Sequence, residues 1–433
     1  MTCESAVVYF GSYGRPPSYP VGTRPLGFMN GATSKTQRWL WVTPRMPLPP
    51  RSGAEAYSGG LITALARSGV GLRVVCLGAP GGSSGADLGD LPIDLRPVAS
   101  PRRSSFSGIL SPTPRAAHNL ATRAMRRELD RALAEGPYHV AVVDHLQSGW
   151  ALPALLNAKR AGVVGPVCLI THNHETSARA RTARAVGWGN PTRTALQMDA
   201  WKWEHFETRA LRSVDLVTAI TEVDRLRLVA RRPDGQVLVL PPGYDGPRTK
   251  RPSPREKASR RAVILTSLDW RAKQANLEEL LEAADDAYAK ARAEIVVVGD
   301  APASFRRRIE SRMQATSFLG HVSDLGSALG SCRLALVSEP RVGGFEMKTL
   351  DLVFAGVPMA VLEGSASGLP LVPGKSCLSF SDIPSLVKGS LEAMDAPSVL
   401  LKVAEAAYDA CRDSFDWPDS VLRLKRATAG AEA

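Results

Sequence analysis

The sequence predicts an α/β protein of two similar-sized domains built on mostly parallel sheets. Short apolar runs rich in Val, Ile and Leu alternate with amphipathic helical patterns along nearly the whole chain, as they do where helices cross over between parallel strands. The 433 residues are too many for one core of ordinary size. A Pro-containing, highly charged stretch at 247–261 has no apolar period and divides the alternation into two series, as a linker does.

The elements follow in order. Residues 1–37 are rich in Gly, Pro, Ser and Tyr and lack an apolar core. They read as a disordered extension, with Met29 as an alternative start. The first domain, 38–246, has strand-like runs at Trp39–Val42, Leu72–Leu77, Val140–Val143, Val167–Ile170, Leu216–Ile220 and Val237–Leu240. Helical periods lie between them, among them Glu55–Ala66 and Thr122–Ala134. In a longer one, Met198–Arg212, Trp201, Trp203, Phe206 and Ala210 are expected in a core or an interdomain surface. Glu207 is expected to cap or pair locally, and Thr221 to cap the next helix. The second domain, 262–410, has strands at Val263–Thr266, Glu294–Val298, Leu334–Val337 and Pro358–Val361, with helices near Asn276–Ala287 and Phe305–Gln314. Residues 411–433 form a final helix and a basic tail. Two such Rossmann-like domains face each other across a cleft, and ligands bind at the carboxyl ends of their strands.

Composition narrows the function. No apolar run reaches the ~20 residues of a membrane span. The six cysteines form no CxxC pair and read as reduced core thiols of a cytoplasmic protein. The seven histidines lack metal-ligand spacing, so no protein-held metal is expected. The formal charge of +12 suits a phosphorylated ligand, an anionic membrane surface or nucleic acid. Cations cluster at Arg102–Arg131, at Arg179–Arg184 and most densely at Arg248–Arg261, where seven cations face one acid. None of these clusters interleaves aromatic residues as a single-strand platform does, the lone Phe106 in the first aside, which argues against nucleic acid. Their plain reading is a solvated surface. Their functional reading is a peripheral contact between the first domain and an anionic membrane.

The sharpest motif runs from Gly343 and Gly344 through Phe345, Glu346 and Lys348 to Asp351, after the strand Leu334–Val337. A glycine turn between strand and helix presents N–H groups to an anion. Lys348 adds a cation, and Asp351 lies three residues further along the same helix face. Together they suit a nucleoside diphosphate, with the carboxylate for ribose. An ordinary solvated helix start with a Lys/Asp pair has the same pattern. In the first domain, Gly53 and Ala54 sit in the turn after the first strand, within PPRSGA at 49–54. A plain tight turn reads the same way. His172, in THNHE at 171–175, and His145 each follow a strand, where polar groups meet ligand or merely satisfy a loop.

Taken together, these segments resemble the GT-B glycosyltransferases of family 4, in the branch of sugar transferases with a Pro-Pro-x-Ser-Gly loop. The resemblance rests on PPRSGA, THNHE, FETRALRSVDLVTAIT at 206–221 and LPPGYD at 240–245 in the first domain. In the second it rests on TSLDWRAKQANLEELLEAA at 266–284, VVVGDAP at 296–302, FLGHVSDL at 318–325, GGFEMKTLDLVFAGVP at 343–358 and GSASGL at 364–369. It covers residues 38 to about 420, and the order of the motifs carries it rather than any one.

The resemblance implies a transferase that moves a sugar with retention from a nucleotide-diphosphate sugar to a carbohydrate, lipid-linked or small-molecule hydroxyl, with no cofactor or metal, and the high Ala and Arg content suggests a bacterial source. It implies donor contacts at Gly53, Ala54, Gly343, Gly344, Lys348 and Asp351, with Arg271 and Lys273 assisting. His172 would contact the sugar, His145 would stand beside it, and His172 and Lys348 would carry the catalytic load. The helix from Trp417 would cross back onto the first domain. The chain departs from the family pattern at Gly343, where a Glu is usual, at Asp351, where the ribose ligand is usually Glu, and at Pro242, where Asn is usual. The departures keep two alternatives in view: a GT-B-like nucleotide-sugar epimerase, and a degenerate binding protein.

Overall fold

The computed structural model describes residues 37–50, 52–78, 88–99, 111–185, 192–233, 235–253, 255, 258–268, 271–339 and 345–431. Two wholly parallel sheets organise it. The first holds β1 (Arg38–Thr43), β2 (Gly71–Leu77), β3 (Ile93–Val98), β4 (Val140–Asp144), β5 (Val167–Ile170), β6 (Leu216–Ala219) and β7 (Val237–Val239), in the order β3-β2-β1-β4-β5-β6-β7. The second holds β8 (Ser259–Leu265), β9 (Glu294–Val298), β10 (Thr316–Gly320), β11 (Cys332–Val337), β12 (Met359–Leu362) and β13 (Leu378–Phe380), in the order β10-β9-β8-β11-β12-β13. Each order reverses beside its first strand, so the topological switch points fall between β1 and β4 and between β8 and β11. Crevices open at the carboxyl ends there.

Helices cover the faces of the first sheet: α1 (Gly53–Arg67), α2 (Arg115–Leu120), α3 (Arg123–Ala134), α4 (Leu152–Arg160), α5 (Glu175–Ala185), α6 (Thr192–Ser213) and α7 (Glu222–Val229), with a 3-10 turn at Leu146–Ala151. The second domain adds α8 (Arg271–Lys290), α9 (Ala303–Glu310), α10 (Leu325–Gly330), α11 (Lys348–Phe354), α12 (Ile383–Met394) and α13 (Pro397–Cys411). Alternation along β1 explains the two cores of the first sheet. Leu40 and Val42 face the cluster with Trp203, whereas Trp39 and Trp41 face the cluster with Tyr57 and Leu61. The last helix, α14 (Trp417–Gly430), adds Trp417, Val421 and Leu424 to the latter, so the chain's end packs on the first sheet.

Three strands have no clear sequence signal. β3 is a half-buried edge strand with Asp94, Arg96 and Pro97, β10 is a polar edge, and β13 has three residues. Edge strands need no continuous apolar run, which is what the reading relied on. The expected linker at 247–261 is shorter, because β8 already begins at Ser259. Its charge is not all solvated either. The Arg255 guanidinium donates to the carbonyls of Leu329 and Cys332 at 2.7 and 2.9 Å and to those of Ala355 and Gly356 at 2.9 and 3.2 Å. Orphan carbonyls at the ends of α10 and α11 account for most of this basket.

Trp201 also departs from expectation. Trp203 and Ala210 are buried and Phe206 packs against their core, but Trp201 is 61% exposed. Residues two apart on a helix point about 200° apart, so Trp201 and Trp203 cannot share one buried face. The expected disordered extension, 1–37, lies outside the described residues except for Gln37.

Candidate active site

The first half of the site sits at the switch point of the first sheet. Asp144 ends β4 and is fully buried. Its Oδ1 lies 2.8 Å from His172 Nε2, and its Oδ2 accepts from Trp41 Nε1 of β1 at 3.0 Å. Burial pushes the Asp144 pKa up, but the bonds from His172, Ser58 and Trp41 outweigh this and hold it below the usual carboxylate range. The adjacent His145 takes a left-handed backbone, φ 66°, a conformation that costs about 1–3 kcal/mol in a non-glycine residue and is characteristic of functional sites. Its ring lies 5.0 Å from that of His172, and Tyr57 meets His172 edge-on at 5.2 Å. Burial first, and then the neighbouring His172, lower the His145 pKa to about 3. His145 is therefore a neutral imidazole at physiological pH, beside a His172 that has a carboxylate behind it.

The loop bearing His172 is held from a distance. Glu207 of α6 accepts from the N–H groups of Glu175 and Thr176 at 2.9 and 3.1 Å and from Thr176 Oγ1 at 2.5 Å. It caps, which is one of the two roles expected of it, but the helix it caps is α5, 31 and 32 residues away in sequence rather than local. Burial raises its pKa despite those donors. Thr221 caps α7 as expected, accepting from Asp224 N at 3.1 Å.

The second half sits at the other switch point. Glu339 follows β11, and its carboxylate is bonded to Lys348 Nζ at the start of α11. Lys273 Nζ of α8 stands 3.8 Å from Glu339, and Glu346 stands 3.8 Å from Lys348. Burial raises both carboxyls, but the ammonium groups of Lys348 and Lys273 bring Glu339 below its usual range, while Glu346 stays above. Lys273, Lys348 and the Glu339 carboxylate thus line a small pocket with Thr266, Ser338 and Thr349, and Glu346 stands behind Lys348. Asp351 lies one turn beyond Lys348, where burial raises its pKa to about 6 although Tyr244 Oη donates to it at 3.0 Å.

The halves approach across the cleft. A methyl group on Gly53, in the first turn of α1, would lie 3.8 Å from Met347, the residue before Lys348. Gly368, at φ +101°, brings its loop so close to the first domain that a Cβ there would lie 2.9 Å from Thr221. Of the residues singled out in the sequence, the fold brings His145 and His172 together on one side, and Lys273 and Lys348 on the other. Asp351 is one helical turn from Lys348. Ala54 is exposed beside Gly53, and Arg271 is exposed at the start of α8. Gly343 and Gly344 lie outside the described residues. Sequence reasoning missed Asp144, Tyr57, Trp41 and Tyr244. The signal for Asp144 was present, since an Asp closing a fully apolar strand just before His145 has few reasons to be there.

Among the described residues no group of three or more His, Cys, Asp or Glu is arranged to hold a metal, and no helix is long and apolar enough to cross a membrane.

Comparisons with known proteins agree with this fold. Residues 52–243 match the family model of a glycosyl transferase 4-like domain, and residues 259–387 match that of glycosyl transferases group 1. The fold is similar to that of a sucrose-phosphate synthase from Thermosynechococcus elongatus, with a TM-score of 0.66 and 14% identity over 91% of this chain and 98% of that one. It is also similar to Anabaena Alr3699/HepE in complex with UDP and glucose, with a TM-score of 0.61 and 13% identity over 91% and 100%. No curated protein sequence matches the chain.

Proposed function

The chain belongs to the glycosyltransferases, joining a 4-like domain to a group 1 domain on a GT-B fold, and we propose that it moves a sugar, with retention, from a nucleotide-diphosphate sugar to a hydroxyl acceptor. One observation carries this reading. The cationic half-site of Lys273 and Lys348 and the hydrogen-bonding half-site of His172 and Asp144 occupy the two switch points, with Gly53 against Met347 at their junction. UDP-bound neighbours of the same fold support the donor class.

In this reading Lys348 and Lys273 stabilise the charge that develops on the diphosphate as the sugar C1–O bond breaks. Donor binding draws Lys348 from Glu339 toward phosphate. Gly53 lets the donor approach α1 closely, Ala54 follows it, and Arg271 stands at the rim. Asp351 accepts from the ribose. His172, oriented by Asp144, contacts a sugar hydroxyl, and neutral His145 packs beside it. The acceptor oxygen attacks C1 from the face the diphosphate leaves, and the departing phosphate oxygen takes the acceptor proton. No side-chain nucleophile is needed. The acceptor is a carbohydrate, a lipid-linked glycan or a small molecule. Contact with an anionic membrane extends the reading, through Trp201, exposed on α6 in one surface depression with Arg209 and Arg212. A cytoplasmic enzyme at the inner face would use such a surface.

The test is thermal-shift screening with UDP-, GDP- and dTDP-sugars, followed by NMR of the product's anomeric configuration. A stabilising donor and a retained anomer are expected. An inverted anomer removes the mechanism, a C2-epimerised sugar makes the chain an epimerase, and binding without turnover makes it a non-catalytic protein.

A further inference from the structure

The chain crosses between the domains twice, and the outgoing segment is bonded to both half-sites. At its start the Leu240 carbonyl accepts from Tyr57 Oη at 2.7 Å, and Tyr57 is the residue edge-on to His172. Four residues on, Tyr244 Oη donates to Asp351, and the Tyr244 ring stacks on Phe354 of α11 with centroids 4.6 Å apart. The Arg248 guanidinium lies 4.0 Å from the Phe354 ring centroid and 5.7 Å from that of Tyr244. The returning chain fastens the same segment. Tyr244 N donates to Phe415 O at 3.0 Å, and Trp417 Nε1 donates to Asp245 at 2.9 Å.

The Asp351 carboxylate accepts no other hydrogen bond among the described residues. It has lone pairs to spare and one donor to fix its rotamer. That donor belongs to neither sheet but to the crossing. We propose that Tyr244 is a positioning residue, which presents the Asp351 carboxylate to a ribose hydroxyl and ties ribose recognition to the interdomain crossing. The inference rests on the ribose role given to Asp351 above.

The experiment is calorimetric binding of two probes, UDP and 2′-deoxy-UDP, to the full chain. Wild type, Tyr244→Phe, Asp351→Asn and the double variant are compared. Tyr244→Phe keeps the stacked ring and removes only the hydroxyl. Wild type prefers UDP. Tyr244→Phe cuts that preference roughly fivefold, the effect of one mispositioned hydrogen bond. Asp351→Asn cuts it as well, and the double variant loses no more than Asp351→Asn alone. A preference unchanged in Tyr244→Phe overturns the inference, as does an equal loss for both probes, which reports only loosened packing. Should Tyr244→Phe fail to fold, an Asp351→Asn variant that keeps the preference overturns it too. Wild type binding neither probe instead overturns the donor reading on which the inference stands. The tie itself is then read without ligand, because loss of the Tyr244 bond raises the Asp351 titration midpoint in carboxyl NMR, and an unmoved midpoint shows that it is absent.

Discussion

His172 and Asp144 come from the ends of neighbouring strands, and their side chains meet at 2.8 Å inside the first domain. The carboxylate fixes which way the imidazole faces, so one ring nitrogen is committed to it and the other is aimed away. Asp144→Asn offers an amide that donates as readily as it accepts, which turns the imidazole to the wrong tautomer. We expect kcat/KM to fall roughly 10²-fold, as for the loss of one preorganised hydrogen-bonding group at the reacting sugar. The Tm also falls, by an amount corresponding to about 1–3 kcal/mol for a buried group losing its partner. The acid limb of stability should change as well. The folded pKa of Asp144 is depressed, so its contribution is present above the unfolded value of about 3.9 and is lost as pH falls through the folded one. Asp144→Asn lacks that loss. Kinetics, and thermal melts between pH 7 and pH 2, check both statements.

Lys348 has a structural role beside the catalytic one proposed for it. It neutralises Glu339 and approaches Glu346 to 3.8 Å. Lys348→Ala should lower kcat/KM by roughly 10²–10³, the cost of one preorganised charge donor. At pH 7 it should also lower the Tm by several degrees, about 1–3 kcal/mol for carboxylates left without their cation. Acidifying to pH 5 should recover much of that loss as one carboxyl takes up a proton. A variant with wild-type kinetics removes Lys348 from the diphosphate site.

Chelation gives a third check. With two ammonium groups available to the diphosphate, turnover should survive EDTA unchanged. Loss that is restored by Mg²⁺ or Mn²⁺ would transfer the electrostatic role to an ion.

The fold was legible because its evidence is periodic. Buried parallel strands such as Val140–Asp144 leave runs of apolar residues that no neighbour needs to explain. The candidate site was legible only where a residue announces its own chemistry, as His172 and Lys348 do. Asp144, Tyr57 and Tyr244 act through partners 28, 183 and 107 residues away, and a linear reading cannot see those separations. Trp201 failed for the opposite reason. Its chemistry suggested burial, while its helical phase relative to Trp203 forbade it.

Gly60 tests the return of the last helix. A mid-helix glycine costs about 1 kcal/mol relative to alanine, so propensity alone favours replacing it. Here a Cβ would lie 2.1 Å from the Trp417 ring, which covers this part of α1. Gly60→Ala should therefore destabilise, by about 1–3 kcal/mol of overpacking less the propensity gain. Hydrogen exchange should accelerate in α14 before it does in β1. A more stable variant would mean that α14 does not dock on α1.

Asp351 supplies a pH signature. Burial raises its pKa to about 6, well above the unfolded carboxyl value near 3.9. A raised folded pKa means that the native state binds the extra proton between those values. Its contribution to stability is full below about pH 4 and is lost as pH rises through about 6. Binding runs the other way. Only the ionised carboxylate accepts from ribose hydroxyls with all its lone pairs, so donor affinity should fall as pH drops below 6. The probe must be a nucleotide sugar, because its diphosphate diester does not titrate in this range, whereas the terminal phosphate of a free nucleoside diphosphate does. We expect Kd for UDP-glucose to rise about tenfold per pH unit once Asp351 is largely protonated, as for a single required ionisation. In Asp351→Asn the limb should vanish, and in Tyr244→Phe it should move to higher pH, since the lost hydrogen bond was holding the pKa down. A limb that stays in place in both variants belongs to another group, with the Glu339 and Glu346 pair next in line.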